Sequence, residues 1–422
     1  GLYQCFWNIG AADFNADEPT YLEAGWEYVH GTFTANLEHP PTAKYLIGAA
    51  QLLLGQGHVA GRIAASTMVC LGAIVLYFWF RREVGWFGGV LAAGLWLVLP
   101  RGVSSGVRID RFALLEPFMA FFAIASFAAA WAWYRRPAPV WLVTSAVAMA
   151  LSVTSKVSSL VLLPAILVLL VARRREARVL VSGLIYLVTF VAVFLLVYLP
   201  VGVVSALSYM LSMESNHDTG GHPVVVGDVA YTHPPWWAEL LFTVNGLGIS
   251  ATVVIVAGSL AAIWAVRALL VRFLGVGVAA LLFFYLVVSQ IALPHYYYAW
   301  VWPLTALAGA GIAGLLGRPL SGRRLIAARA AAVLLLVVAA RSGIQTSLTI
   351  AEERPTGMAR VTDSSPSGAS RPGRSWLRGW PTGSTGTTWA DTRSRIRPKA
   401  ELSRSRSSTP PASPCRRAWP SN

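Results

Sequence analysis

The sequence predicts an all-α polytopic membrane protein with about ten transmembrane helices and juxtamembrane helices in its outside loops. Three observations carry that class. Of 422 residues, 55% are hydrophobic and 13% charged, with a mean hydropathy of +0.57; soluble domains hold about 25% charged residues. Apolar stretches approaching the ~17–25 residues that cross a bilayer follow one another along the chain. Arginine clusters recur on alternate connections between them. A spanning backbone must satisfy its own hydrogen bonds, so the class is a helical bundle.

The chain opens on an acidic and aromatic stretch, residues 1–59, expected as the first extracytoplasmic loop. Within it, 46–55 reads as a short apolar helix lying at the interface. The predicted spans are 60–80, 86–100, 112–134, 140–153, 157–172, 178–200, 244–266, 273–291, 296–316 and 325–341. Those below span length borrow flanking residues or tilt. Arg81-Arg82, Arg135-Arg136, Arg173 to Arg175, Arg267 with Arg272, and Arg318 with Arg323-Arg324 fall on alternate connections. The positive-inside rule puts these in the cytoplasm. Every polar-rich connection then lies on the opposite side: 1–59, 101–111, the turn near 154–156, the large loop 201–243, and 292–295. Residues 60–341 form the multi-span domain, and 342–422 is expected as a disordered or aberrant tail.

The formal charge of +15 resembles a nucleic-acid signal, but its distribution removes that reading. From residue 354 onward there are 13 Lys+Arg and 3 Asp+Glu, a surplus of 10, leaving about +5 for the rest. The tail is Ser-, Arg-, Pro- and Gly-rich without periodicity and cannot bury enough apolar surface to order itself. A shifted reading frame accounts for it as well as function does. The chain opens without an initiating Met directly on a polar-aromatic segment, so it is expected to be a fragment whose first span lay upstream. Cys5, Cys70 and Cys415 are far apart and match no metal spacing. No strands are expected, so a Gly-rich nucleotide site in a strand-turn-helix context is not read here.

Five places hold groups that could do chemistry. Asp17-Glu18, followed by Pro19 and Tyr21, is an acidic pair in an outside loop, where a carboxylate can act as general base towards a hydroxyl; a solvated pair is the plain alternative. In Glu38-His39-Pro40-Pro41 with Lys44, the prolines bar helix upstream and place Pro41 near the first turn of the next helix. That arrangement aims Glu38 and His39 back at the loop, as a ligand set or only as a rigid helix start. In RIDRFALLEPF, Arg108, Asp110, Arg111 and Glu116 stand where an outside loop becomes a span, with Glu116 expected about a turn inside the helix. Ionisable groups within spans usually face a cavity or partner. Lys156 in TSKVSS either snorkels to the interface or binds phosphate as a compact charge. His295 and Tyr296 to Tyr298 lead into a late span, as interface aromatics or as donors to a lipid phosphate. In the large loop, His217, His222 and His233 with Glu214, Asp218 and Asp228 fit no standard metal spacing. Trp236-Trp237 reads as a headgroup-level anchor.

Taken in order, these segments resemble the membrane-integral GT-C glycosyltransferases of family 39, which include protein O-mannosyltransferases and lipid A aminoarabinose transferases. DEPTY resembles the family's acidic pair, LEHPPTAKYL its His-Pro-Pro-x-x-Lys segment, and RFALLEPFMAFF its Arg-apolar-acidic segment with Glu116 at a position usually Asp. TSKVSS resembles its Lys-bearing turn and HYYYAW its aromatic lead-in to a late span. The resemblance covers roughly residues 15 to 316. It implies transfer of a sugar from a polyprenyl-phosphate carrier to a protein, lipid or glycan hydroxyl on the outer face, with inversion. It implies Asp17 as the base, Glu18 in support, and a role for Glu116 left open by the extra methylene. Tyr21, His39, Lys44, Arg111, Lys156, His295 and Tyr297 would bind substrate, several of them opposing charge on the leaving phosphate. Glu38 resembles a metal-binding position of the aminoarabinose branch, which makes a divalent metal optional. A transporter or flippase of a lipid-linked sugar is the reading from another class, and a non-catalytic scaffold a third. Transporters place ionisable groups near mid-membrane and show repeated halves; here the charges gather at the outer ends and no repeat is visible.

Overall fold

The computed structural model describes residues 1–102, 108–175, 178–317 and 322–354, and not the side chains of 217, 218 and 325. The sequence-based readings of His217, Asp218 and the tail beyond residue 354 therefore lie outside the described residues.

A short helix α1 (Leu2–Phe6) precedes two helices within the opening loop, α2 (Glu18–Val29) and α3 (Thr42–Leu54). Pro19 sits in the first turn of α2 and Pro41 at the cap of α3, where a missing N–H costs nothing. Gly25 of α2 and Gly48 of α3 meet backbone to backbone: a Cβ at 48 would stand 2.0 Å from the Gly25 carbonyl oxygen. Leu52, Leu53 and Leu54 are exposed at the end of α3, as expected of an interfacial helix.

Helix α4 (His58–Val98) is broken at Val84-Gly85, with Gly85 at φ +83°, so it supplies two of the predicted spans. Then come α5 (Glu116–Arg135), α6 (Pro139–Val153), a 3₁₀ turn Val157–Leu162 leading into α7 (Leu163–Ala172), and α8 (Val179–Tyr198). The large loop contains α9 (Val203–Gly220) and a hairpin, β1 (Val224–Val226) with β2 (Val229–Tyr231). The bundle closes with α10 (Ala238–Ala265), broken at Gly248, α11 (Ala268–Phe283) continued by a π turn Phe284–Val288, α12 (Tyr298–Gly317) and α13 (Gly322–Glu352). Among the described residues, seven helices are long and apolar enough to cross a membrane. The break in α4 adds one, and two shorter apolar helices, α6 and Val157–Ala172, add two, which recovers the ten predicted spans.

Three expectations are corrected. Strands do occur: a Val-rich run meets a Gly227-Asp228 turn with both residues at positive φ, the two-residue hairpin connection that matches strand twist. Glu116 is not a turn inside its helix but its first residue, because Pro117 has no N–H to donate to an earlier turn and so fits the first turn of α5. The last helix runs to Glu352, eleven residues past the predicted end of the final span at 341, and its outer part meets α1, where the Gln4 amide donates to the Gly343 carbonyl and the Ser347 hydroxyl at 2.9 Å.

Packing runs α10 on α12, α12 on α4, and α4 on α5, with α6 on α5. At the α10–α12 seam, a Cβ on Gly311 would stand 2.0 Å from the Gly258 carbonyl oxygen, the close backbone approach that small residues permit between spans. The arginine-bearing connections meet at one end. Glu83 lies 3.8 Å from Arg135 and 3.9 Å from Arg267, and the Arg173 guanidinium donates to the Tyr134 carbonyl at 3.1 Å. Helix direction then puts residues 17, 39, 116, 156, 239 and 295 at the opposite end.

Candidate active site

At that opposite end, four connections deliver their ionisable residues to one place. Asp17 occupies the cap position of α2 without spending its carboxylate on a capping bond, and its side chain remains 40% exposed. Its Oδ2 lies 3.9 Å from His295 Nε2, and the same nitrogen lies 3.4 Å from Glu116 Oε1. Glu116 is buried at the start of α5, where free backbone N–H groups and the helix dipole favour a carboxylate. It accepts a hydrogen bond from the Lys156 ammonium, which also sits 3.8 Å from the centre of the Tyr296 ring. The turn bearing Lys156 is tied to the start of α3: Thr42 N–H donates to the Thr154 carbonyl at 2.9 Å, and the two hydroxyls meet at 2.7 Å.

Tyr21 and His39 close the cluster, edge to face at 5.5 Å between ring centres. Tyr21 is held far above the usual phenol range, first by burial and then by Asp17 and Glu116 nearby, so it remains a hydroxyl donor. His39 is partly buried. Burial, then Lys156 and Lys44, pull it down to about 3 against an opposing pull from Glu116. His295 is also lowered, by burial first; Glu116 opposes and Lys156 adds. Both imidazoles are therefore neutral near pH 7, each with one N–H to give and one lone pair to accept.

Four sequence-derived candidates lie in the frame around this cluster. Glu18 faces away from Asp17, because helix geometry separates adjacent residues by about 100°. It is fully buried, binds Arg62 through both oxygens at 2.7 Å, and accepts from Ala113 N–H at 2.9 Å. Lys44 is buried and gives its protons to the carbonyls of Asn36 and His39 and to the Tyr28 hydroxyl, so it shapes the loop that carries His39. Burial, only partly opposed by Glu38, lowers it to about 7. Arg111 binds Glu353 at 2.8 Å and the carbonyls of Gln4 and Asn8. The Tyr297 hydroxyl donates to the Gly102 carbonyl at 2.8 Å, and Tyr296, not Tyr297, reaches the cluster.

Glu38 accepts from the Asn36 amide at 2.6 Å. Among the described residues no three His, Cys, Asp or Glu side chains are grouped as metal ligands, so Glu38 has no ligand set around it there.

Arg101 and Arg62, outside the sequence-derived set, complete the frame. Asp110, read from the sequence together with Arg108, is buried between Arg101 and Arg108. Burial would raise it, but the two guanidiniums overcome that and hold it well below the ordinary carboxylate range. Arg62 stood in view as an arginine two residues into a predicted span, the kind of residue that usually has a buried partner.

Residues 38–203 match the family described as dolichyl-phosphate-mannose-protein mannosyltransferase. No curated protein sequence matches the chain. Among solved structures, ArnT from Cupriavidus metallidurans bound to undecaprenyl phosphate aligns with a TM-score of 0.61 at 17% identity, over 83% of this chain and 74% of that one. The Archaeoglobus fulgidus oligosaccharyltransferase tethered to an acceptor peptide aligns at 0.55 and 13% identity, over 84% and 55%. Arabinosyltransferase EmbB from Mycobacterium smegmatis aligns at 0.52 and 11% identity, over 86% and 40%. At these identities the structural likeness is one of fold. The chain thus shares the helical-bundle fold of these membrane glycosyltransferases, and its residues 38–203 resemble the mannosyltransferase family segment.

Proposed function

We propose that the chain moves a sugar, a hexose such as mannose first among the candidates, from a polyprenyl-phosphate carrier to an acceptor hydroxyl at the extracytoplasmic face, with inversion. One observation carries this reading: an accessible, uncommitted carboxylate, Asp17, faces the same imidazole as a buried carboxylate–ammonium pair, Glu116 with Lys156. The acceptor oxygen bonds to the anomeric carbon as that carbon's bond to the phosphate oxygen breaks. The hydroxyl proton passes to Asp17, and the carrier leaves as its phosphate. Single displacement inverts the anomeric centre.

Lys156 opposes the charge that grows on the leaving phosphate, with N–H and O–H donors from His39, His295, Tyr21 and Tyr296 beside it. Groups already in place at a water-poor site stabilise such charge without reorganising. Glu116 holds the ammonium in position. Glu18 fixes the first turn of α2 and so Asp17, while Lys44 fixes His39; Arg111 and Tyr297 belong to the surrounding frame. The acceptor is a protein, lipid or glycan, and no nucleic acid is involved.

Membranes containing the full chain, given radiolabelled polyprenyl-phosphoryl mannose, are expected to pass label into a protein, lipid or glycan fraction with inverted configuration. Movement of the intact labelled carrier across the bilayer, with no transfer, would replace this reading with a flippase.

A further inference from the structure

Beside the cluster lies a cavity of about 190 Å³, several times the ~30 Å³ share of one water. Its wall includes Pro235, Trp236, Glu239, Tyr285, Ser289 and Gln290. It adjoins the candidate site through Tyr285, whose ring packs 5.3 Å from that of Tyr296, the residue over Lys156. The Tyr285 hydroxyl is already used, donating to Ser158 at 2.7 Å.

Glu239 is the unusual group in that wall. It is 1% exposed, in the first turn of α10. Its Oε1 accepts from Leu293 N–H at 3.0 Å. Its Oε2 is buried with no hydrogen-bond partner. A buried carboxylate oxygen left without a donor is costly, and native structures rarely keep one unless something supplies it. Trp236, at the rim, is 67% exposed. The lining is mostly polar, with one aromatic face at the rim, and a sugar ring presents the matching surfaces: a belt of hydroxyl donors and one apolar face.

We propose that this cavity is a glycosyl subsite, in which Glu239 Oε2 accepts a hydrogen bond from a sugar hydroxyl while Trp236 covers the ring. The proposal rests on the sugar-transfer reading above for its ligand class. The sugar is either that of the donor or one on the acceptor, and the two are separable by experiment.

Glu239→Gln keeps an oxygen for the Leu293 N–H but replaces the orphan acceptor with an amide, so the fold is retained. Trp236→Ala, at an exposed position, tests the rim independently. The solubilised full chain is titrated with undecaprenyl phosphate, with undecaprenyl-phosphoryl mannose, and separately with methyl α-mannoside. Losing a buried hydrogen bond of this kind corresponds to about ten-fold in affinity. We expect each variant to bind the sugar-free carrier as wild type does. We expect a loss of about ten-fold for the mannosylated carrier if the donor sugar sits there, or for the glycoside if the acceptor sugar does. Unchanged affinity for both sugars in both variants overturns the subsite. Failure of wild type to bind either carrier removes the transfer reading instead, and the glycoside titration still reads the cavity alone.

Discussion

His39 shows at the scale of one residue how the site sets its own chemistry. Its ring is desolvated and faces Lys156 and Lys44, with Glu116 and His295 also acting on it, and is lowered from 6.5 to about 3. A histidine lowered on folding binds fewer protons in the folded state across that window. Its contribution is therefore complete above pH 6.5 and lost as pH falls towards 3. From pH 7.5 down to 4.5 the wild-type melting temperature should fall more steeply than that of His39→Gln, so the difference between them shifts in the variant's favour, the variant having the flatter profile. Parallel profiles would show that the imidazole is not desolvated. The acidic pair teaches a second lesson. Asp17 and Glu18 were legible as important, but their different roles were not, since only the start of α2 decides which faces Arg62. Arg62→Met leaves Glu18 buried and unpaired, and breaking such a pair costs about 3–5 kcal/mol. Thermal melting in detergent should fall markedly; an unchanged midpoint would contradict the buried pairing.

At the scale of elements, the site depends on how α2 is held against α3. The Gly25–Gly48 crossing leaves no room for a methyl group, so Gly48→Ala must push the two backbones apart. That shift moves Asp17 at the head of α2, and transfer should fall along with the melting temperature. Gly94→Ala is the control, since a Cβ there meets nothing within 4 Å. Equal behaviour of the two variants would show that the crossing is not what sets Asp17. Proline placement made the starts of α3 and α5 readable, though Glu116 lies at its helix start and not inside it. Which of three consecutive tyrosines faces Lys156 was not readable, because residues 295–297 precede the helix and follow no period. The hairpin was missed although Val224 to Val226 before Gly227-Asp228 carried the signal; the weight of apolar helical sequence hid it.

Across the whole molecule, the alternation of arginine-bearing and polar connections predicted two ends of unlike chemistry, and the fold has them. Glu83, Arg135, Arg173 and Arg267 gather at one end, with Asp17, Glu116, Lys156 and His295 at the other. The span count was legible because length and hydropathy act locally. The buried ion pairs Glu18–Arg62 and Asp110 with Arg101 and Arg108 were not, since they join residues that only the bundle brings together. If the site end is extracytoplasmic, a single cysteine at Trp236 in a cysteine-free background should react with a membrane-impermeant maleimide on intact cells, while one at Arg136 should not. The reverse pattern would place the site in the cytoplasm.

The general base is where the account is most exposed. Base catalysis by a positioned side chain is worth about 10²–10⁴-fold. Single-turnover transfer from radiolabelled polyprenyl-phosphoryl mannose by the full-length Asp17→Asn variant should therefore be slower by that factor, with carrier binding and membrane insertion kept. Transfer at the wild-type rate would contradict Asp17 as the base and, with it, the site as described.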